Sequence, residues 1–125
     1  MLVSADNGAA GRTYLPLRDN KGSIYEGGHR EPFLARWPGR IEPGTISDQI
    51  ISITDIFATC VSLIGKSLPE NAGEDSVSFL KCLYGQQKGP FREASVQQSG
   101  KKALAIRKGK WKSVSYTHLT LPTKA

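Results

Sequence analysis

Short apolar runs separated by turn residues predict a chain with few long elements. Leu2–Ala5 is an apolar run that Asp6-Asn7-Gly8 follows at once, which predicts a short buried strand ending in a turn. Residues 8–32 show neither a helical nor an alternating period, so they are predicted to form a long loop. Loops of that length are uncommon and are often functional. Phe33–Trp37 predicts a second short strand, which Pro38-Gly39 ends.

The clearest periodicity predicts a helix that begins near Thr54. One apolar face at helical spacing is formed by Ile56, Phe57, Cys60, Val61 and Ile64. Thr54 is the predicted N-cap, Asp55 suits the positive end of the helix dipole, and Gly65 is placed to end the helix. Because Cys60 lies on the apolar face, we expect it to be a small buried side chain rather than a reactive thiol.

A second helix and a hairpin are predicted downstream. Val77–Tyr84 indicates a shorter helix, and Gln49–Ile53 fits a strand only loosely. Leu104–Arg107 and Lys110–Lys112 are predicted to be two strands around a tight turn. The order is therefore strand, long loop, strand, helix, helix and hairpin, which is an α/β pattern.

Composition narrows the class of protein. A chain of 125 residues suffices for one modest domain, and its 38% hydrophobic residues exclude wholesale disorder. No apolar run approaches the ~20 residues that a membrane helix needs, so we expect no membrane partner. Cys60 and Cys82 are too few for a disulfide scaffold, and with His29 and His118 they form no zinc constellation.

The net charge of +6 comes from one segment, residues 92–112. One acid, Glu93, stands there among seven basic residues: Arg92, Lys101, Lys102, Arg107, Lys108, Lys110 and Lys112. With Trp111 included, the segment is a candidate for binding a polyanion through counterion release and stacking. A solvated strand face explains the same pattern and is the favoured interpretation, so no nucleic acid is expected.

Asp6 and Asn7 are the first candidates for chemistry. A carboxylate and an amide oxygen at the carboxyl end of a buried strand suit a hard divalent cation. In open α/β sheets this edge is where ligands bind. The same residues with Gly8 also form a common turn, and spacing alone favours the turn.

Longer blocks of the sequence resemble the sulfatase family. That family shows S-D-N-G at the end of a strand, then L-R-x-x-K-G-x-x-x-E-G-G-x-R-x-P-F and R-W-P-G. Ser4–Gly8, Leu17–Phe33 and Arg36–Gly39 match these blocks in order. Further similar blocks are Ser47–Gln49, Thr54–Ile56, Leu68-Pro69, Gly73–Ser78 and Ala105–Lys112. The resemblance extends from residue 2 to about residue 112.

The resemblance implies a fold and a chemistry. The implied fold is alkaline-phosphatase-like, a mainly parallel sheet flanked by helices, followed by a small antiparallel sheet. Asp6 and Asn7 match ligands of a divalent cation, usually Ca²⁺, with Mg²⁺ as the other candidate. Lys21 matches a catalytic and substrate-binding lysine that contacts the sulfate group. A metal and an ammonium together hold and polarise the oxygens of a sulfate ester. The implied substrate is a sulfated small molecule or glycan, and the implied location is periplasmic or secreted.

Neighbouring residues of the same block are expected to be structural. Gly27 and Gly28 allow a tight backbone path, and Glu26 is predicted to hold Arg30. His29 stands where relatives often have an aliphatic residue, which favours a surface or packing role.

The sequence also departs from the family pattern. The family nucleophile is a formylglycine made from the first residue of C/S-x-P-x-R, and neither Cys60 nor Cys82 begins such a motif. We therefore expect a carboxyl-terminal fragment, inactive alone, of a parent that carries the formylglycine. Residues 1–88 are predicted to belong to the catalytic domain, 89–112 to begin the antiparallel subdomain, and 113–125 to be a non-native tail. A phosphoesterase or phosphonate hydrolase of the same superfamily, or a non-enzymatic polyanion-binding module, is the alternative.

Overall fold

The structure, a computed structural model, describes residues 1–12, 15–115 and 122–124. Its elements are β1 (Leu2–Ser4), α1 (Glu26–His29), β2 (Phe33–Ala35), α2 (Asp55–Leu63), α3 (Leu80–Leu83), β3 (Ser95–Gln98), β4 (Leu104–Lys108), β5 (Trp111–Ser115) and β6 (Pro122–Lys124). They fall into two compact units. The first comprises Met1 and residues 35–93, and the second comprises residues 2–34 with the described residues from 94 onward. Within these ranges, no helix has the length and apolar character to span a membrane.

An antiparallel sheet organises the second unit. Its strands are ordered β3-β4-β5-β6, and Ala105 lies opposite Val114. Alternate side chains of β4 and β5 point inward, where Ala105 and Val114 pack with Ile24 in the hydrophobic core. This confirms the predicted hairpin, with Gly109 in its turn at a φ of +57°.

The two strands of the hairpin are longer than predicted. β5 continues to Ser115, which lies opposite Leu104. The first three residues of the predicted non-native tail therefore belong to this sheet. The foreign origin of residues 113–125 stays a prediction, and residues 116–121 and 125 lie outside the described residues.

β1 and β2 form a second, two-stranded sheet. Met1 and Arg36 exchange both backbone hydrogen bonds at 2.9 Å, which is the pattern of an antiparallel pair. The prediction that Leu2–Ala5 is buried is wrong, because all three residues of β1 are exposed. A strand becomes buried only through neighbours on its faces and edges, and β2 is its one strand partner among the described residues. The described residues likewise contain no mainly parallel sheet.

Helix α2 occupies the predicted position but buries an unexpected face. Its buried residues are Asp55, Ala58 and Thr59. Much of the predicted apolar face is open to solvent, since Phe57 is 49% and Ile64 is 69% exposed, while Ile56 and Val61 are partly buried. The expectation that Cys60 is buried is therefore wrong, because its side chain is exposed on that face.

Polar contacts explain why the face of α2 with Asp55, Ala58 and Thr59 is buried. The Ser76 hydroxyl accepts a hydrogen bond from the Ala58 amide at 2.9 Å and donates to the Thr54 carbonyl at 2.7 Å. The Thr59 hydroxyl accepts from the Phe79 amide at 3.1 Å. Residues 76–79 thus use their backbone and hydroxyls to bind α2. This shortens the second helix from the predicted Val77–Tyr84 to Leu80–Leu83, and Gln49–Ile53 forms no strand.

Asp55 is the central polar group of this first unit. Its side chain is fully buried and accepts hydrogen bonds from the Ser52 amide at 2.7 Å and the Val77 amide at 2.9 Å. It also forms an ion pair with Arg92, which in turn donates to the Asp75 carbonyl at 3.0 Å. Thr54 stands at the predicted N-cap position, but its hydroxyl bonds Ser52 and makes no capping bond to α2.

Replacing Asp55 by alanine is expected to destabilise the protein strongly. The substitution leaves Arg92 and two amides without their buried partner. Removing one member of a buried ion pair lowers the free energy of unfolding by about 3–5 kcal/mol. The exposed Asp48 provides the matched control, and its replacement by alanine is expected to change stability by less than about 0.5 kcal/mol. Urea unfolding followed by tryptophan fluorescence measures both, and equal losses would contradict the prediction.

Candidate functional site

Three glycines let backbone segments touch where no side chain fits. A Cβ on Gly8 would lie 2.0 Å from the Gly27 carbonyl oxygen, and one on Gly27 would lie 2.0 Å from the Asp19 carbonyl oxygen. A Cβ on Gly28 would lie 2.4 Å from the Ser23 carbonyl oxygen. Real Cβ atoms do not approach so closely, so these positions require glycine. The tight backbone path predicted for Gly27 and Gly28 is confirmed.

Backbone hydrogen bonds hold these segments together. The Gly8 amide donates to the Gly28 carbonyl at 3.2 Å, and the Gly27 amide donates to the Arg18 carbonyl at 2.9 Å. The Lys21 amide donates to the Ala9 carbonyl at 3.3 Å. Ala9 follows the Asp6-Asn7-Gly8 turn directly, so the turn and the Lys21 loop are bonded neighbours. The structure thus brings together the backbones that carry all three predicted site residues.

Local side chains shape the loop before Lys21. Asp19 adopts a φ of +68°, a conformation in which Asp is tolerated because its short side chain bonds locally. Its carboxylate accepts from the Asn20 amide at 2.9 Å and the Ser23 hydroxyl at 2.8 Å. The Arg18 guanidinium lies 3.7 Å from the centre of the Tyr25 ring, a cation–π contact. The side chain of Lys21 itself is exposed.

Asp6 and Asn7 present oxygen ligands but not a complete metal site. The Asn7 Nδ2 group donates to Asp6 Oδ2 at 2.6 Å, which leaves Asp6 Oδ1 and the Asn7 amide oxygen for other partners. These oxygens fit a hard cation, which takes 6–8 oxygen ligands when it is Ca²⁺. Over the described ranges, no three His, Cys, Asp or Glu residues cluster so that they could hold a metal. The two residues fit as one part of a cation site.

Glu26 has different partners from the one predicted. Its carboxylate lies 2.7 Å from Arg107 Nη1 and 3.0 Å from Lys112 Nζ. The prediction that it holds Arg30 is wrong: Arg30 contacts Glu26 through its backbone amide, which donates to the Glu26 carbonyl at 2.8 Å. The two cations stand 81 and 86 residues further along the chain, so no local pattern indicated them.

These ion pairs also change the interpretation of the basic segment 92–112. Arg92, Arg107 and Lys112 each pair with a carboxylate of this chain. Lys112 is almost fully buried, at 2% exposure. The positive charge available to a polyanion is therefore smaller than the sequence suggests.

His29 is a half-buried side chain close to the ion pair of Glu26 and Lys112. Its Nε2 atom is buried and has no hydrogen-bond partner. Burial, reinforced by the positive charge of Lys112, lowers the pKa of His29 below its usual 6.5. The charge of Glu26 and a hydrogen bond to the Ser23 backbone oppose this shift only in part. The ring is therefore neutral near pH 7, which agrees with the expected packing role.

Comparison with known families connects this geometry to a chemistry. The family model described as Sulfatase matches residues 1–66, a span that includes Asp6, Asn7, Lys21 and Glu26. The chain belongs to the sulfatase family. A resemblance first visible in short motifs is thereby confirmed.

Individual sulfatases support the assignment. The chain is 41% identical over 97 residues to an N-acetylgalactosamine-6-O-sulfatase of Bacteroides thetaiotaomicron, a match over 78% of this chain and 19% of that protein. It is 35% identical over 127 residues to human arylsulfatase A, covering 94% of this chain and 25% of that protein. A solved sulfatase connected with glycosaminoglycan metabolism in Bacteroides thetaiotaomicron superposes with a TM-score of 0.72 at 39% identity, over 82% of this chain and 21% of that one. The chain thus spans about a fifth to a quarter of each of these three sulfatases.

Replacing Gly27 by alanine is expected to displace the Lys21 loop. The new Cβ would overlap the Asp19 carbonyl, and overpacking of this kind costs about 1–3 kcal/mol. Gly100→Ala is the matched control, because its Cβ would meet no atom closer than 3.5 Å. Urea unfolding and amide hydrogen exchange at Gly27 and Lys21 measure the effect. Equal stability and exchange in the two variants would exclude the steric explanation.

Stability is expected to fall as the pH drops below 6.5. The native pKa of His29 is lower than the unfolded value, so the unfolded chain binds more protons between the two pKa values. The contribution of His29 is fully present above pH 6.5 and is lost towards the lower native pKa. Thermal unfolding at pH 7.5 and 5.0 should show a larger loss of Tm for the wild type than for His29→Leu. The same loss in both proteins would argue against this role.

Proposed function

We propose that the protein containing this chain hydrolyses sulfate esters with the help of a divalent cation. The observation that carries the proposal is the bonded pair of loops at the end of β1, which brings the Asp6-Asn7 turn next to the Lys21 loop. Family membership supplies the reaction class. A cation ligand pair and an ammonium on adjacent loops suit an anionic ester whose oxygens must be held during bond cleavage.

Each residue has a separate task in this proposal. Lys21 places a compact ammonium against a sulfate oxygen and stabilises the charge that develops there in the transition state. Asp6 and Asn7 orient the cation through their free oxygens. When bound, that cation polarises the ester oxygens as a Lewis acid. The nucleophile is proposed to be a formylglycine in a part of the enzyme other than this chain.

Exposed apolar surface supports a larger catalytic domain around this chain. The face of α2 that carries Phe57, Cys60 and Ile64 is open, and so is β1. Contiguous exposed apolar surface commonly marks a contact with another structural element. We place β1 in the mainly parallel sheet of an alkaline-phosphatase-like domain, residues 1–88 in that domain, and residues 89–112 at the start of the antiparallel subdomain.

The proposed substrate is a sulfated glycan or a smaller sulfate ester. Several of the matched proteins are named as N-acetylgalactosamine-6-sulfatases, which makes a sulfated amino sugar the first compound to assay. A phosphate ester carries similar oxygens, so hydrolysis of a matching phosphate ester is the alternative activity to assay.

Replacing Lys21 by alanine in the full-length enzyme is expected to lower kcat by about 10²–10³-fold, the loss seen when one donor to a developing oxyanion is removed. Folding should be unaffected, because the side chain is exposed. The exposed Lys66 is the matched control, and Lys66→Ala is expected to leave kcat unchanged. Release of product from a chromogenic aryl sulfate, with urea unfolding of each variant, provides the measurement.

Two outcomes would overturn the proposal. A folded Lys21→Ala enzyme with unchanged kcat would remove Lys21 from the site. Hydrolysis of the matching aryl phosphate, with none of the aryl sulfate, would establish the phosphoesterase alternative.

A further inference from the structure

The antiparallel sheet holds the Lys21 loop at two points. At one end, the Gly100 amide, in the turn between β3 and β4, donates to the Gly22 carbonyl at 2.9 Å. At the other, Arg107 of β4 and Lys112 of β5 bind the carboxylate of Glu26. Gly22 follows Lys21 directly, and Glu26 begins helix α1 four residues later.

The ion pair with Lys112 is unusually well shielded. The side chains of Lys112 and Glu26 are 3% and 14% exposed, and their charged atoms are 3.0 Å apart. Lys112 lies opposite Arg107 in the sheet, so the two cations approach one carboxylate from neighbouring strands. A buried pair of this kind contributes little net stability, because desolvation offsets much of the attraction. Its geometry is nevertheless restrictive, since the sheet fixes both cations.

A short series of bonds leads from Glu26 to the candidate site. Glu26 precedes Gly27 and Gly28, whose backbones bond the Arg18 carbonyl and the Gly8 amide. Arg18 stands three residues before Lys21, and Gly8 directly follows Asn7. A shift of Glu26 therefore moves both site loops, because the glycine contacts leave no free space to absorb it.

We propose that Lys112 is a positioning residue for the sulfate site, acting through Glu26 and the α1 glycines on Lys21. This inference rests on the proposed function of Lys21. Lys112 makes no contact with substrate in this scheme. It fixes where the Lys21 ammonium stands, as the outer partners of metal ligands and catalytic groups do.

The test is a double-mutant cycle in the full-length enzyme. Lys112→Met keeps most of the apolar stem but removes the charge, and it is expected to lower kcat/KM for an aryl sulfate by about 10–100-fold. In the Lys21→Ala background, the same change should lower it less than about threefold, because the effects of residues coupled through one network of bonds are not additive. Lys110→Met, on the same hairpin but with an exposed side chain, is the matched control and should leave kcat/KM unchanged.

Hydrogen exchange gives a second readout that does not depend on turnover. The Lys21 and Gly8 amides, which bond Ala9 and Gly28, should exchange faster in Lys112→Met than in the wild type or Lys110→Met. If the unmodified enzyme cleaves neither the aryl sulfate nor a sulfated amino sugar, the proposed function fails, while these amides still decide whether Lys112 positions the loop.

Several results would overturn the inference. One is an equal loss of kcat/KM from Lys112→Met in both backgrounds, which a merely structural role produces. The others are an unchanged kcat/KM or unchanged amide exchange in that variant. If Lys112→Met does not fold, Glu26→Gln takes its place in the same cycle with the same criteria. Lys112→Arg, which keeps the charge, should restore activity to within about threefold of the wild type.

Discussion

The close packing of three glycine backbones is the constraint on which the candidate site depends. Gly8, Gly27 and Gly28 let the end of β1, helix α1 and the Lys21 loop meet at distances that any Cβ would prevent. Hydrogen bonds between these backbones then fix their relative positions. The side chains of the candidate site need no mutual contact to be held together, because hydrogen bonds already fix the main chain that carries them. A loop that lacks a regular period thus acquires a defined shape.

Buried charges perform the corresponding task between distant segments. The described apolar core is small, with Ile24, Ala105 and Val114 in one unit and Ala58 and Phe79 in the other. In the second unit, Glu26 binds one residue on each of two strands of the sheet. In the first unit, Asp55 binds the Ser52 amide, the Val77 amide and Arg92. Each carboxylate is directional where apolar packing is not, so it specifies which segments meet. The cost of desolvating these groups makes their net contribution to stability modest. Their main effect is to fix which segments lie next to one another.

Membership of the sulfatase family is the basis of the function proposed for this geometry. The family match covers residues 1–66, which include the turn with Asp6 and Asn7 and the loop with Lys21. The sheet that binds Glu26 lies beyond that match, although human arylsulfatase A aligns with 94% of the chain. The site and its support thus come from different regions of the sequence. The proposed role of Lys112 follows from that arrangement.

Local chemistry was sufficient to predict several features from the sequence alone. The period of Ile56, Cys60 and Ile64 located α2, the turn around Gly109 located the hairpin, and the paired glycines indicated a tight backbone path. The family resemblance was likewise visible in short motifs, because the residues that carry it stand in contiguous blocks. These features depend on residues within a few positions of one another.

Only the tertiary structure decided which faces are buried and which charges pair. Much of the apolar face of α2 is open to solvent, and the buried face is formed by Asp55, Ala58 and Thr59. The carboxylate of Glu26 pairs with Arg107 and Lys112, which lie 81 and 86 residues further along the chain, and not with the nearby Arg30. Burial and ion pairing depend on which segments are close in space. Sequence periodicity describes one helix or strand at a time. It therefore cannot indicate ion-pair and packing partners that the fold brings together from distant parts of the chain.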